Sequence, residues 1–184
     1  LIVEIKVPRQ YRGALNVNTS SGNVEINDLA LGELSIKTSS GDIRLSSIQA
    51  ISVAMETTSG DQTAEDLDTE RATMTSSSGE IRVKDLQGET EAESSSGDIS
   101  LRYLEFDTDL EVRSSSGDVT LHLTDTAQFR VEARASSGDI DCAFPVTLGG
   151  TDSEMSRNRL FATVGEGTNQ VVVRTSSGDI TIRP

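Results

Sequence analysis

A serine–glycine pair followed by an acidic or amide residue recurs at nearly constant spacing along the 184-residue chain. Successive glycines of this motif are 18 to 21 residues apart, except that the last gap spans about two periods. The glycines are Gly22, Gly41, Gly60, Gly79, Gly97, Gly117, Gly138 and Gly178. A fixed period of about 20 residues is typical of a solenoid, in which each repeat forms one coil of the chain.

Apolar and polar residues alternate on both sides of each motif. Leu34 and Ile36 precede Gly41, Ile43 and Leu45 follow it, and polar residues stand between them. Alternation with a period of two predicts strands that bury one face. A further apolar column stands seven residues after the glycine, at an odd offset that marks a second, apolar corner. Its members are Leu29, Ile48, Leu67, Leu86 and Leu104.

Two topologies fit this unit, an antiparallel meander and a coil whose equivalent strands stack in parallel. The columns favour the coil, because successive coils lie about 4.8 Å apart and place equivalent residues directly on one another. The predicted fold is therefore all-β: a single-domain parallel β-helix or β-solenoid over residues 1–184, with about 19–20 residues per coil.

The composition of the polar corner has a structural explanation. We expect its glycines to adopt positive φ, which a sharp bend requires, and its serine and aspartate side chains to bond nearby backbone N–H groups. The acidic position also forms a stacked row that a cation such as Ca²⁺ could bridge. The weak candidates for this metal site are Asp42, Asp61, Asp98, Asp118, Asp139 and Asp179.

The two ends and one irregular segment complete the predicted organisation. Residues 1–14 are predicted to be an N-terminal capping strand, and residues 143–167 an irregular insertion in the penultimate coils. Arg157 and Arg159 give this insertion local positive charge and make it a candidate loop for a partner. The chain ends after the last corner, where Pro184 only weakly blunts the edge, so an end-to-end homo-oligomer is a further prediction.

Charge and composition exclude several classes of function. With 16 basic and 30 acidic residues the net charge is −14, which disfavours nucleic acid as a partner. No run is long enough to insert into a membrane. His122 is predicted to point outward and Cys142 to face the core. No motif for nucleophilic catalysis accompanies them, and no cofactor is expected.

Several strings resemble a widespread prokaryotic family of adhesin-like domains of unknown function, and the likeness covers nearly the whole chain. They are the repeated TSSGDI, FPVT at residues 144–147 and ATVGEGTNQVVVRTSSGDITI at residues 162–182. The resemblance implies a right-handed parallel β-helix and an association with the cell surface or envelope. It implies no enzymatic activity, cofactor or catalytic residue.

The leading prediction is a non-enzymatic, extracytoplasmic surface or envelope module that binds another macromolecule, either a protein or a polysaccharide. One alternative is a carbohydrate-active enzyme, which requires two carboxylates and a basic residue close together in a groove. The other is a cation-responsive module that uses the aspartate row.

Overall fold

The computed structural model describes residues 4–148 and 154–184, and the secondary structure of these residues is entirely β. The strands are β1 (Ala14–Thr19), β2 (Val24–Thr38), β3 (Ile43–Thr57), β4 (Gln62–Ser76), β5 (Ile81–Ser94), β6 (Ile99–Tyr103), β7 (Leu110–Ser114), β8 (Val119–His122), β9 (Phe129–Ala135), β10 (Ile140–Cys142), β11 (Val146–Thr147), β12 (Glu154–Ser156), β13 (Arg159–Val164), β14 (Asn169–Thr175) and β15 (Ile180–Arg183). No helix long and apolar enough to cross a membrane occurs in this part of the chain.

Equivalent strands of successive repeats pair in parallel, which confirms the β-solenoid. Ile43 on β3 pairs with Val24 on β2 and with Gln62 on β4, so residues with the same position in the motif stack on one another. The inward columns form one continuous core in which Leu34, Ile36 and most of their equivalents are buried. Since each coil covers the next, a thin layer of side chains is enough to build this core.

Each long strand bends twice, so a coil has three corners and not two. Asp28, Ser47, Asp66 and Asp85 have φ between 52° and 57° and stand one residue before the predicted apolar column. A second interruption follows where the register skips residues 32 and 51, which leaves two consecutive residues facing outward. Both bends keep the apolar face of the strand directed at the core.

The apolar column is confirmed except at its last predicted member. Ile48, Leu67 and Leu86 are buried, whereas Leu104 is 52% exposed. Tyr103 pairs with Leu86 and takes the inward place instead. One residue separates Leu101 from Tyr103, whereas two residues separate Val83 from Leu86, so the inward place falls to the residue before Leu104.

The spatial order of the coils differs from their order in the sequence. β14 lies between β7 and β9, and β15 lies between β8 and β10. The last coil of the chain therefore fills a gap that the chain left open when it passed from β8 to β9. The expectation that the C-terminal coil forms an end of the stack is wrong, because β15 has a parallel neighbour on both sides.

Residues 143–148 and 154–167 close one end of the stack. β13 runs antiparallel to β9, and β11 and β12 both pair antiparallel with β13. Sequence order suggested that this segment interrupts the penultimate coils, but it follows the coil of β9 and β10 and covers its outer side. Phe144 packs edge-on against Phe129 with ring centroids 5.3 Å apart, which ties the closing segment to the core.

The other end of the stack is the coil of β1. Of the predicted capping strand over residues 1–14, residues 1–3 lie outside the described residues and residues 4–13 form no strand. Arg12 holds this segment in place by donating a hydrogen bond to the carbonyl oxygen of Ala30 at 3.2 Å. Leu15 and Val17 are half-buried because β1 has a strand neighbour on one side only in the described structure.

Candidate functional site: the polar corner and the arginine groove

The corner glycines are required by close backbone approach. Among the described glycines, only Gly88, Gly165 and Gly167 have positive φ, so the prediction of positive φ at the polar corner is wrong. A Cβ on Gly60 would instead lie 2.0 Å from the carbonyl oxygen of Gly41 in the coil below. Any side chain at this position would separate the stacked coils, and this explains why the glycine recurs.

A buried hydroxyl three residues before the glycine holds the corner. Thr57 Oγ1 accepts a hydrogen bond from the N–H of Gly60 at 3.0 Å, and Ser94 Oγ does the same for Gly97 at 2.8 Å. The serine directly before each glycine is exposed, although it is present in every copy. The first residue of the four-residue corner is therefore the one that secures the bend.

Replacing Thr57 with valine is expected to lower the free energy of unfolding by about 1–3 kcal/mol, because the buried N–H of Gly60 loses its acceptor. Ser59→Ala is the matched control in the same corner and is expected to change it by less than about 0.5 kcal/mol. Urea denaturation followed by circular dichroism measures both. Equal effects of the two substitutions would contradict the role assigned to the buried hydroxyl.

The acidic row is a ladder of hydrogen bonds between coils. Asp42 Oδ1 accepts the backbone N–H of Asp61 at 3.2 Å, and Asp98 Oδ1 accepts that of Asp118 at 2.9 Å. Asn23 begins the ladder with its amide oxygen, which accepts the N–H of Asp42 at 3.0 Å. One oxygen of each of these side chains therefore has a structural role that an amide also fills.

The first part of the ladder ends at Glu80, whose carboxylate pairs with Arg82, and a second part runs from Asp98 in spatial order and ends on an arginine. Asp118 accepts the N–H of Asp179 at 2.8 Å, and Asp179 accepts that of Asp139 at 2.9 Å. Asp139 belongs to the outermost corner, and the guanidinium of Arg157 forms two hydrogen bonds with its carboxylate. These bonds hold the pKa of Asp139 below its usual value.

The described residues contain no group of three or more His, Cys, Asp or Glu side chains placed to hold a metal ion. The predicted cation site along the aspartate row stays a prediction. Arg157 and Arg159, the predicted partner-binding residues, both lie close to carboxylates of this chain. Arg157 contacts Asp139, and Arg159 Nη1 lies 3.9 Å from Glu154 Oε2.

Acidification is expected to weaken the ladder. The N–H of Asp61 and the Arg44 guanidinium lower the pKa of Asp42 in the folded state. This contribution to stability is present above the unfolded pKa of about 3.9 and is lost as the pH falls through the lower, folded pKa. Asp42→Asn keeps the acceptor but not the charge, so wild type and variant should converge in urea midpoint on titration from pH about 7 to about 2.5. A constant difference across this range would contradict the assignment.

A shallow groove of about 340 Å³ crosses four coils beside the polar corner. We call it the arginine groove. Its residues are Glu93, Ser94, Arg113, Ser114, Ser115, Arg134, Ser136, Arg174, Thr175 and Ser176. Arg113, Arg174 and Arg134 stand four residues before their glycines and occupy successive coils, because β14 lies between β7 and β9.

Glutamates of the neighbouring outward positions hold these arginines extended. Arg174 Nη2 donates to Glu132 Oε1 at 2.9 Å, and its Nη1 lies 3.6 Å from Glu111 Oε1. Arg113 pairs with Glu111 at 2.5 Å. The groove therefore presents paired positive and negative side chains. The strand beneath its centre, β14, is hydrogen-bonded to a neighbouring strand on each side.

The three arginines were not singled out from the sequence. Their equal offset from the glycine was the available signal. This offset could not show that the coil of Arg174 lies between those of Arg113 and Arg134.

Cys142 faces inward as predicted, and burial raises the pKa of its thiol. His122 faces outward at a half-buried position between coils.

The repeat, with its stacked corners and closing segment, extends over almost the whole chain. A single family model matches the chain over almost the same extent. That model describes Toastrack DUF4097 and matches residues 2–183. The chain belongs to the Toastrack family. This confirms the resemblance to a family of unknown function that has a β-solenoid fold. None of the curated proteins matches this Toastrack chain significantly.

One solved structure aligns with most of this chain. It is the crystal structure of a "putative cell adhesion protein" from Clostridium sporogenes ATCC 15579, which is 12% identical to this Toastrack chain. The alignment covers 98% of this chain and 96% of that one, with a TM-score of 0.38.

Proposed function

We propose that this Toastrack chain is a non-enzymatic binding module of the extracytoplasmic cell surface or envelope, and that the arginine groove holds an acidic segment of a protein partner. The observation that carries the proposal is the stack of Arg113, Arg174 and Arg134 on adjacent coils. Each guanidinium has five N–H donors, so it can bind a partner carboxylate beside the glutamate with which it is already paired.

The character of the groove favours a protein surface as its partner. Exposed serines, three arginines and the flanking Glu93 offer charges and hydrogen-bond groups of both kinds. Complementary charges of mixed sign give specificity between proteins more than they give raw affinity. The strands beneath are fully paired, so the partner is bound by side chains and not by addition of a strand.

Site-specific photo-crosslinking in cells of the source organism tests this function. A photoreactive residue at Ser115 lies in the groove, and the same residue at Ser59 is the matched control on an equivalent corner outside it. The proposal expects an adduct with an envelope protein from position 115 only, and loss of that adduct with Arg174→Glu. No adduct, or equal adducts from both positions, would contradict it, as would protection of the protein in intact cells from added protease.

The carbohydrate-active enzyme has one observation in its favour. Glu111 and Glu132 both approach Arg174, which is the combination of two carboxylates and a basic residue that this alternative requires. Both carboxylates, however, are committed to arginines: Glu111 pairs with Arg113 and Glu132 with Arg174. Release of reducing ends from a panel of polysaccharides by wild type but not by Glu132→Gln would replace the binding function with this one.

A further inference from the structure

A second row of basic side chains crosses the strands that follow the polar corner. Arg102 on β6 pairs in register with His122 on β8, and His122 pairs with Arg183 on β15. Lys84 on β5 extends the row toward the first coils, since it follows Val83, the register partner of Leu101. We call Lys84, Arg102, His122 and Arg183 the basic strip.

The basic side chains of the strip form no ion pairs in the part of the chain that the structure describes. Within residues 4–148 and 154–184, no carboxylate oxygen lies within 4.0 Å of Lys84, Arg102 or Arg183. The arginines of the arginine groove are all paired with glutamates. A chain with a net charge of −14 thus carries a row of basic side chains without ion pairs, and Glu65, the register partner of Lys84, stands at one end of this row.

The centre of the strip is a close contact between two basic groups. Arg183 Nε and Nη2 lie 3.3 and 3.1 Å from His122 Nε2, so the guanidinium donates to a neutral imidazole. Burial, Arg183 on β15 and Arg102 on β6 lower the pKa of His122, against a small opposing effect of the Pro184 backbone. An anion placed over this contact would be attracted by the guanidinium groups of Arg102 and Arg183, which lie on the strands on either side of the imidazole.

We propose that the basic strip binds a linear anionic polysaccharide lying along the axis of the stack. Positive groups on successive coils are about 4.8 Å apart, which suits an extended polymer that carries a negative group on its repeating unit. A parallel row of half-buried hydroxyls, Ser100, Thr120 and Thr181, stands two residues before Arg102, His122 and Arg183 and can bond sugar hydroxyls.

The backbone beneath the strip argues against an acidic peptide. β8 is paired with β6 and β15, and β15 is paired with β8 and β10, so their ladders have no place for an added strand. A peptide is recognised along a sheet mainly through such main-chain bonds. The strip runs across the strands and offers charges and hydroxyls alone, which is the chemistry that an acidic sugar polymer matches.

Binding is expected to strengthen on mild acidification. Protonation of His122 removes the acceptor for Arg183, frees that guanidinium for the ligand and adds a third charge between Arg102 and Arg183. Sugar carboxylates remain ionised under these conditions, because carboxyl groups titrate near pH about 4. Because the pKa of His122 lies below the usual histidine value of 6.5, affinity should rise as the pH falls below about 6.5.

Isothermal titration calorimetry of the whole chain with size-defined oligogalacturonate tests the proposal. Wild type is expected to bind, with an affinity that falls as NaCl rises. The variant Arg102→Gln/Arg183→Gln should lose about tenfold or more, with a salt dependence smaller by about one ion per removed cation. Arg82→Gln is the control, since Arg82 is on the same face but paired with Glu80. His122→Gln should retain binding at pH about 7.5 and lose the gain at about 5.5.

The outcomes distinguish specific binding at the basic strip from non-specific charge attraction and from binding at the arginine groove. Absence of binding at low salt, or an equal loss with Arg82→Gln, would overturn it. Equal or tighter binding of polyglutamate of matched charge would show that sugar chemistry is not recognised and would overturn it too. Loss of binding with Arg174→Gln but not with Arg102→Gln/Arg183→Gln would move the ligand to the arginine groove. Circular dichroism of each variant confirms that the fold is intact.

Discussion

Gly79→Ala is expected to abolish the folded state or to lower the free energy of unfolding by about 3 kcal/mol or more. A Cβ on this residue would lie 1.8 Å from the carbonyl oxygen of Gly60, well inside van der Waals contact. The obstacle is backbone in the interior of the stack, so it cannot yield as the end of a side chain could. Guanidinium denaturation followed by far-ultraviolet circular dichroism measures the loss.

Gly22→Ala is the matched control for this substitution. Gly22 occupies the same position in the motif but belongs to the first corner, where a Cβ would meet only Thr19 Oγ1, at 3.1 Å. A change below about 1 kcal/mol is expected. Equal destabilisation by both substitutions would indicate a shared conformational requirement of the corner and contradict the explanation by close approach.

Removal of residues 168–184 is the second change with a large expected effect, namely loss of cooperative unfolding. β14 separates β7 from β9 and β15 separates β8 from β10, so their removal leaves unpaired backbone on both sides of the gap. The coil of β9 and β10 and its closing segment would then have no partner in the stack. Unpaired strand edges of this kind also promote aggregation.

Thermal unfolding and limited proteolysis compare this truncation with removal of residues 1–10, which form no strand where they are described and should cost little. Val173→Asp and Val17→Asp form a matched pair of point changes in one inward column. Val173 on β14 is fully buried, whereas Val17 on β1 is half-buried at the edge of the stack. Val173→Asp should be far more destabilising, since it buries a charge without a partner. A stable, cooperative protein after removal of residues 168–184 would contradict the interior position of the last coil.

Much of the fold could be predicted from the sequence because a stacked coil repeats its environment. Ile43 has nearly the same neighbours as Ile81, and this repetition makes the inward columns visible in a single chain. Gln62 is the exception within its column. Its amide is fully buried, and Nε2 donates to the carbonyl oxygen of Thr75 at 2.6 Å. The pattern of apolar residues does not predict a buried hydrogen bond of this kind.

The chemistry of the corner could be predicted only in part. Stacked side chains that bond backbone N–H groups were expected, and the bonds from Asp61 to Asp42 and from Gly60 to Thr57 are of this kind. The predicted reason for the corner glycine, a positive φ, was wrong. The sequence shows that this residue lacks a side chain, but it does not show that the backbone of the neighbouring coil occupies the space where a Cβ would lie. The hydrogen bonds between Arg157 and Asp139 also depend on the reversal of the chain direction between β10 and β13, which the repeat does not predict.

The periodic alternation of apolar and polar residues by itself determined that this chain is a parallel β-solenoid with polar corners, since only stacked coils place every copy in the same surroundings. Tertiary structure alone decided the order of the coils, the identity of the closed end and the grouping of the arginines. Each coil presents nearly the same edge, so local sequence does not specify its neighbour. The insertion of β14 and β15 between earlier coils is selected by the backbone pairing and core burial of the complete stack.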